Sequence, residues 1–238
     1  MSAKFFACML LACTLCFAEQ VDWGSNIHYE KPELYLVNGK QTLMNNKEWK
    51  NEMLSMFPKE ERSLNQLVAV SSWIDDSFVF DKGHGVTIGV ITSDEIYNSK
   101  QIRGSHDKAL VFSSIVRFLG YPCIFVDTTS ITWSKNYNEG LPVADYALGH
   151  VFVEVYFEGK WVLFDVVKGV FLDSYDVKNP YILIDWHEFE PIGFYVIDKG
   201  RDNWDFGIYS LEDLTTRQKS IAPSVAANYE LISSNLQK

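Results

Sequence analysis

Apolar positions crowd most densely between Lys108 and Pro122, where Ala109, Leu110, Val111, Phe112, Ile115, Val116, Phe118 and Leu119 fall on nearly every side of a helical period. A helix apolar all round is one enclosed by protein, so this segment predicts a central buried helix. Gly120 ends it and Pro122 prevents its return, after which 123–127 reads as a strand. Upstream, 47–56 reads as helix. Leu64, Leu67, Val68, Val70, Ser71 and Trp73 recur at helical spacing and predict a second, partly buried one. The period changes to two in GHVFVEVYFEGKWVLFDVV, residues 149–167, where β-branched and aromatic runs flank Glu158-Gly159 and predict a hairpin.

The remaining segments are weaker in pattern. A short strand is expected at 34–37 and an extended stretch at 85–93, with Asp94 and Glu95 opening a short helix. Residues 128–148 are polar, contain Gly140 and Pro142, and read as a long loop. Short extended pieces between Gly, Pro and Asp turns fill 168–207, and the chain after Ser210 reads as a polar tail that frays. The expected organisation is 1–18 as a leader, 19–60 as a segment packing on the domain, 61–210 as the domain, and 211–238 as the tail.

The leader, MSAKFFACMLLACTLCFA, has one lysine, an apolar run and a small residue before Glu19, the pattern of a secretory signal too short to span a membrane. It predicts a secreted or periplasmic protein, with lipidation of Cys13 as an alternative fate, and no other stretch is apolar enough for a transmembrane segment. Cys8, Cys13 and Cys16 lie in the leader, so Cys123 alone remains after cleavage and no internal disulfide can form. At 238 residues and 47% hydrophobic, the chain can bury one sizeable core. Its net charge of −10 becomes more acidic once Lys4 is removed, which argues against nucleic acid as a partner. No cofactor is expected. His187, between acids in DWHEFE, lacks a second histidine or cysteine at ligand spacing, so no metal site is expected there either.

The hairpin carries chemistry. With Glu158 and Gly159 as a two-residue turn, Phe157 faces Lys160 and Phe152 faces Asp165, which places His150, Phe152, Glu154, Asp165 and Val167 on one face. His150 and Asp165 become diagonal neighbours, roughly 7 Å apart at their anchoring carbons, a gap that an imidazole and a carboxylate can bridge. A histidine oriented by an acid is the base half of a nucleophilic triad. The place for the nucleophile is the start of the buried helix, where unpaired N–H groups and the helix dipole favour an anion. Ser105 stands there, in RGSHDKALVFSSIVRFLGYP.

These motifs together resemble the transglutaminase-like superfamily, a branch of the papain-like fold. The resemblance rests on Ala109 four residues after Ser105, the ending Arg117, Leu119, Gly120 and Pro122, then His150, Trp161 and Asp165 on the following strands, and covers about residues 67–167. It implies an α+β fold in which the helix carrying the nucleophile position packs on an antiparallel sheet, and the roles of nucleophile position, general base and orienting acid for Ser105, His150 and Asp165. Serine here replaces the family's cysteine. A thiol beside an imidazole can ionise at rest, whereas a hydroxyl must lose its proton during attack, so the substitution predicts a weak or inactive catalyst that binds a peptide, protein or glycan in its cleft. An active serine-dependent acyltransferase or amide/ester hydrolase is the alternative. Serine is also a favoured N-cap, which would give Ser105 a purely structural role. Trp133, Phe152 and Glu154 are candidate cleft-lining residues, His106 is expected in solvent, and His84 in a loop.

Overall fold

A computed structural model of the chain describes residues 27–82, 85–146, 148–172, 175–184, 186–187 and 190–229. The leader with Cys13, and His84, lie outside the described residues. The helices start where side chains satisfy their first N–H groups. Asn46 caps α1 (Lys47–Met56) and Ser63 caps α2 (Leu64–Ser77). After the short β1 (Val79–Phe80), Thr92 and Glu95 form a capping box on α3 (Ser93–Ser99). Then come β2 (Gln101–Ile102), parallel to β1, and the buried helix α4 (Ser105–Phe118). The chain continues through β3 (Cys123–Ser130), α5 (Ile131–Asn138), β4 (Val151–Phe157), β5 (Lys160–Asp165), β6 (Val170–Leu172), β7 (Tyr181–Ile182), β8 (Phe194–Gly200) and α6 (Leu211–Ala227).

Six strands form one sheet in the order β6-β5-β4-β3-β8-β7, with every neighbouring pair antiparallel. The fold is α+β. One sheet face, through Phe125, Val151, Val153, Val155 and Phe164, packs on α4 and α2. The opposite face, through Ile124, Val126, Phe152, Leu163 and Phe194, packs against Tyr35 and the strand-poor segment after β6. A third cluster joins Ile131 of α5 to Leu214, Ile221 and Val225 of α6 and to Tyr195 and Ile197 of β8. Among the described residues, no helix is long and apolar enough to cross a membrane.

The hairpin has the register expected from alternation, with Phe157 opposite Lys160 and Val153 opposite Phe164. Its turn needs two residues at positive φ, and Glu158 (48°) and Gly159 (85°) supply them. Four other expectations are corrected. Residues 34–36 belong to a 3-10 turn, Pro32–Leu36, that buries Tyr35 and ends at Val37, where a strand was expected over 34–37. The expected extended stretch 85–93 is turns over 85–90 and reaches α3 at Ser93, because Gly85 and Gly89 take positive φ and Gly89 lies so close to the Tyr209 carbonyl that a Cβ would meet its carbon at 2.5 Å. The expected loop over 128–148 opens with three more residues of β3 and then α5, since the Ser130 hydroxyl accepts from the Trp133 N–H and starts a helix there. Residues 211–227 form α6 where a polar tail was expected: Ser210 caps it, and Leu214, Gln218, Ile221 and Val225 bury one stripe. That stripe is diluted by glutamine and threonine, which hid its period.

One buried acid makes stability depend on pH. Burial pushes the Asp198 carboxyl up to about 7, the Arg217 charge opposes this only in part, and Asp127 adds to it. Arg217 Nε lies 3.4 Å from Oδ2, yet that oxygen has no hydrogen-bond partner among the described residues. Because the folded value lies above the ordinary 3.8, the stabilising proton is fully present below that value and is lost as pH rises through about 7. Asp198→Asn is therefore expected to raise the melting temperature more at pH 8 than at pH 5. Thermal denaturation at both values checks this, and equal gains would exclude an ionisation effect.

Candidate active site

Ser105 is the first residue of α4 and follows Gly104 at the cap position, where no side chain caps the helix. The purely structural expectation for Ser105, an N-cap bond, is thus not met. Its hydroxyl makes no hydrogen bond among the described residues, and the residue is half-buried. Two residues on, the Asp107 carboxylate accepts from the Thr87 hydroxyl at 2.9 Å and from the Arg103 N–H at 3.0 Å, which ties both flanking segments to the helix start.

His150 immediately precedes β4. The Thr128 hydroxyl fixes its backbone from both sides, donating to its carbonyl at 2.7 Å and lying 3.2 Å from its N–H. Glycine precedes it for a steric reason: a Cβ on residue 149 would sit 2.0 Å from the Thr128 carbonyl oxygen. Asp165 ends β5, and its Oδ1 lies 2.9 Å from His150 Nε2. The same carboxylate accepts from the Val167 and Lys168 N–H groups and from Trp186 Nε1 at 3.2 Å, and its Oδ2 lies 2.9 Å from His187 Nε2. Burial opposes ionisation of Asp165, but the bonds from His150 and His187 outweigh it and hold the carboxyl well below the usual range. Burial also lowers the His150 pKa, against the pull of Asp165. With Nε2 turned to Asp165, His150 Nδ1 makes no hydrogen bond among the described residues.

Ser105, His106, Tyr146, His150, His187 and Gln218 are among the residues that line one cavity of about 400 Å³. The structure therefore brings Ser105 and His150 to one cavity, with fully buried Asp165 bonded to the His150 ring. Ser105 and His150 make no hydrogen bond to each other. Trp133, Phe152 and Glu154 do not line this cavity. Trp133 stacks on Tyr137 and donates to the Ala144 carbonyl. Phe152 is buried with its ring edge-on to His150 at 4.6 Å, and Glu154 is buried against Lys199.

Sequence reasoning missed three members of the site. His187 and Trp186 sit in a segment without period, and only the fold carries them to Asp165. His106, expected in solvent, is only 7% exposed and pairs with Asp127 at 2.9 Å, because β3 passes directly beneath the first turn of α4. The aspartate in the strand after the helix was the available signal.

The class that this fold and site define is an α+β protein in which a serine at a helix N-terminus shares a cavity with a histidine that the antiparallel sheet pairs to a buried carboxylate. No protein-family model and no curated protein matches the chain. Among solved structures it is similar to a crystal structure from Cytophaga hutchinsonii described as a "Putative Cysteine Protease", with a TM-score of 0.50 and 15% identity, over 78% of this chain and 53% of that one. The chain thus spans about half the length of that relative. The likeness is one of fold, and it is consistent with a papain-like arrangement.

Proposed function

We propose that this chain is a secreted, transglutaminase-like protein whose cleft, built on Ser105, His150 and Asp165, binds a peptide or glycan and catalyses acyl transfer weakly or not at all. The observation that carries this reading is that the His150–Asp165 pair is intact while the Ser105 hydroxyl and the free Nδ1 of His150 share a cavity without bonding. A serine nucleophile needs its base within hydrogen-bond reach, and misplacement of about 1 Å can cost about 100-fold. The leader supports export. A second reading, an active serine-dependent hydrolase, draws on the absence of any capping bond to the Ser105 hydroxyl.

The test uses mature protein in a chelator. A fluorophosphonate probe is expected not to label Ser105. In Ser105→Cys, the new thiol should alkylate at pH 6 at least about 10-fold faster than an unperturbed cysteine, because the adjacent imidazole stabilises the thiolate. Cys123 does not compete, since it is fully buried and burial pushes its thiol up. An ordinary alkylation rate would sink the retained-dyad reading. Labelling that Ser105→Ala abolishes would instead favour the active hydrolase.

A further inference from the structure

A catalytic histidine needs one orienting acid, and an acid needs one histidine to orient. Asp165 has two. His150 Nε2 meets Oδ1 and His187 Nε2 meets Oδ2, each at 2.9 Å, so one carboxylate is flanked by two imidazoles on opposite oxygens. The nucleophilic-triad reading gives His187 no part. The ring centroids of the two histidines lie only 4.4 Å apart.

We infer that His150, Asp165 and His187 form a binding site for a zinc ion on the wall of the cleft. All three residues are buried, and one donor atom from each lies within 4.8 Å of the others. Metal–ligand bonds of about 2.0–2.1 Å set the donors around a tetrahedral zinc about 3.3 Å apart; each nitrogen lies 2.9 Å from its own oxygen of the shared carboxylate, so small side-chain rotations close the three groups on one ion. Two imidazoles with one carboxylate suit a borderline cation, whereas calcium and magnesium prefer all-oxygen sets. Trp186 Nε1 and the Val167 and Lys168 N–H groups hold the carboxylate from behind, the outer support that metal ligands ordinarily have.

Binding asks little of His150. Coordination through Nε2 moves its proton to Nδ1, which has no competing bond among the described residues. Because His150 and His187 line the cavity, the fourth position opens into it, where a water or a carboxylate of the cleft's ligand completes the shell. The site goes beyond the function proposed above, because a bound ion occupies the imidazole that Ser105 would need. The two ideas fail separately: alkylation is measured in chelator, and metal binding on the unsubstituted protein.

Chelator-treated protein titrated with zinc chloride is expected to show one saturable site by calorimetry, and cobalt chloride should give the visible bands of a four- or five-coordinate ion. His187→Gln is expected to weaken zinc binding by more than about 100-fold, since it removes a ligand and loss of an outer supporting group alone costs about 10–100-fold. His28→Ala, whose exposed imidazole pairs with Glu30, should leave it unchanged. Should His187→Gln fold poorly, nitrogen shifts on the unsubstituted protein decide: zinc must move the ring signals of His150 and His187 and leave those of exposed His28 in place. No saturable binding at millimolar zinc, or binding indifferent to His187, overturns the inference.

Discussion

Asp165→Ala is expected to lower stability by about 3–5 kcal/mol, the cost of removing one partner from a buried charged network. The side chain is fully buried, and its loss leaves two imidazoles, the Trp186 indole and two backbone N–H groups without their acceptor. Asp165→Asn keeps one acceptor oxygen and should recover part of that loss. Denaturant unfolding of the three proteins reads the difference directly. A loss under about 0.5 kcal/mol for the alanine variant would mean that the carboxylate does not organise these donors, because surface substitutions alone reach that scale. The site and the fold share this residue: Val167 and Lys168 turn the chain out of β5 through Asp165 Oδ1, so the acid that orients His150 also shapes the end of its strand.

The parts of the molecule that could be read from sequence are those in which local pattern and tertiary contact agree. α4 is apolar on every side because protein surrounds it, and the hairpin alternates because each of its faces meets a different core. Register then followed from a two-residue turn, and with it the meeting of His150 and Asp165. Where agreement breaks down, reading fails. α6 buries Gln218 in its stripe because that amide donates to the Thr128 carbonyl, so a polar residue occupies a core position. His187 reaches Asp165 through a return of the chain between β7 and β8 that has no periodic signature. Alternation assigns a residue to a face but does not say what covers that face. Phe152 and Glu154 do share a face with His150, as expected, yet the N-terminal segment from Tyr29 to Tyr35 lies across it, and both side chains are buried.

That covering segment is held by a charge pair, which leads to the second large effect. Lys199 Nζ and Glu154 Oε1 lie 2.5 Å apart with both side chains fully buried, and the Tyr29 and Tyr175 hydroxyls donate to the same oxygen. Glu154 Oε2 has no partner among the described residues. Burial lowers the Lys199 pKa more than Glu154 raises it, so the pair sits where desolvation already strains against attraction. Lys199→Met alone strands a carboxylate in the core and is expected to cost about 3–5 kcal/mol, and Glu154→Leu alone strands an ammonium at similar cost. The double variant Glu154→Leu, Lys199→Met removes both charges and should return close to the parent stability, since replacing a buried pair by apolar groups is often neutral. Denaturant midpoints of all four proteins form the cycle. If the double variant loses the sum of the single losses, the neutral groups and not the charges dominate, because the tyrosine hydroxyls and the Val177 carbonyl lose their partners when both charges are gone. Lys199 also donates to the Val177 carbonyl at 3.1 Å, so the pair fastens the chain just before it turns toward Trp186 and His187. The single variants should therefore loosen the support of Asp165 from a distance, which the indole proton signal of Trp186 would report by faster exchange with water.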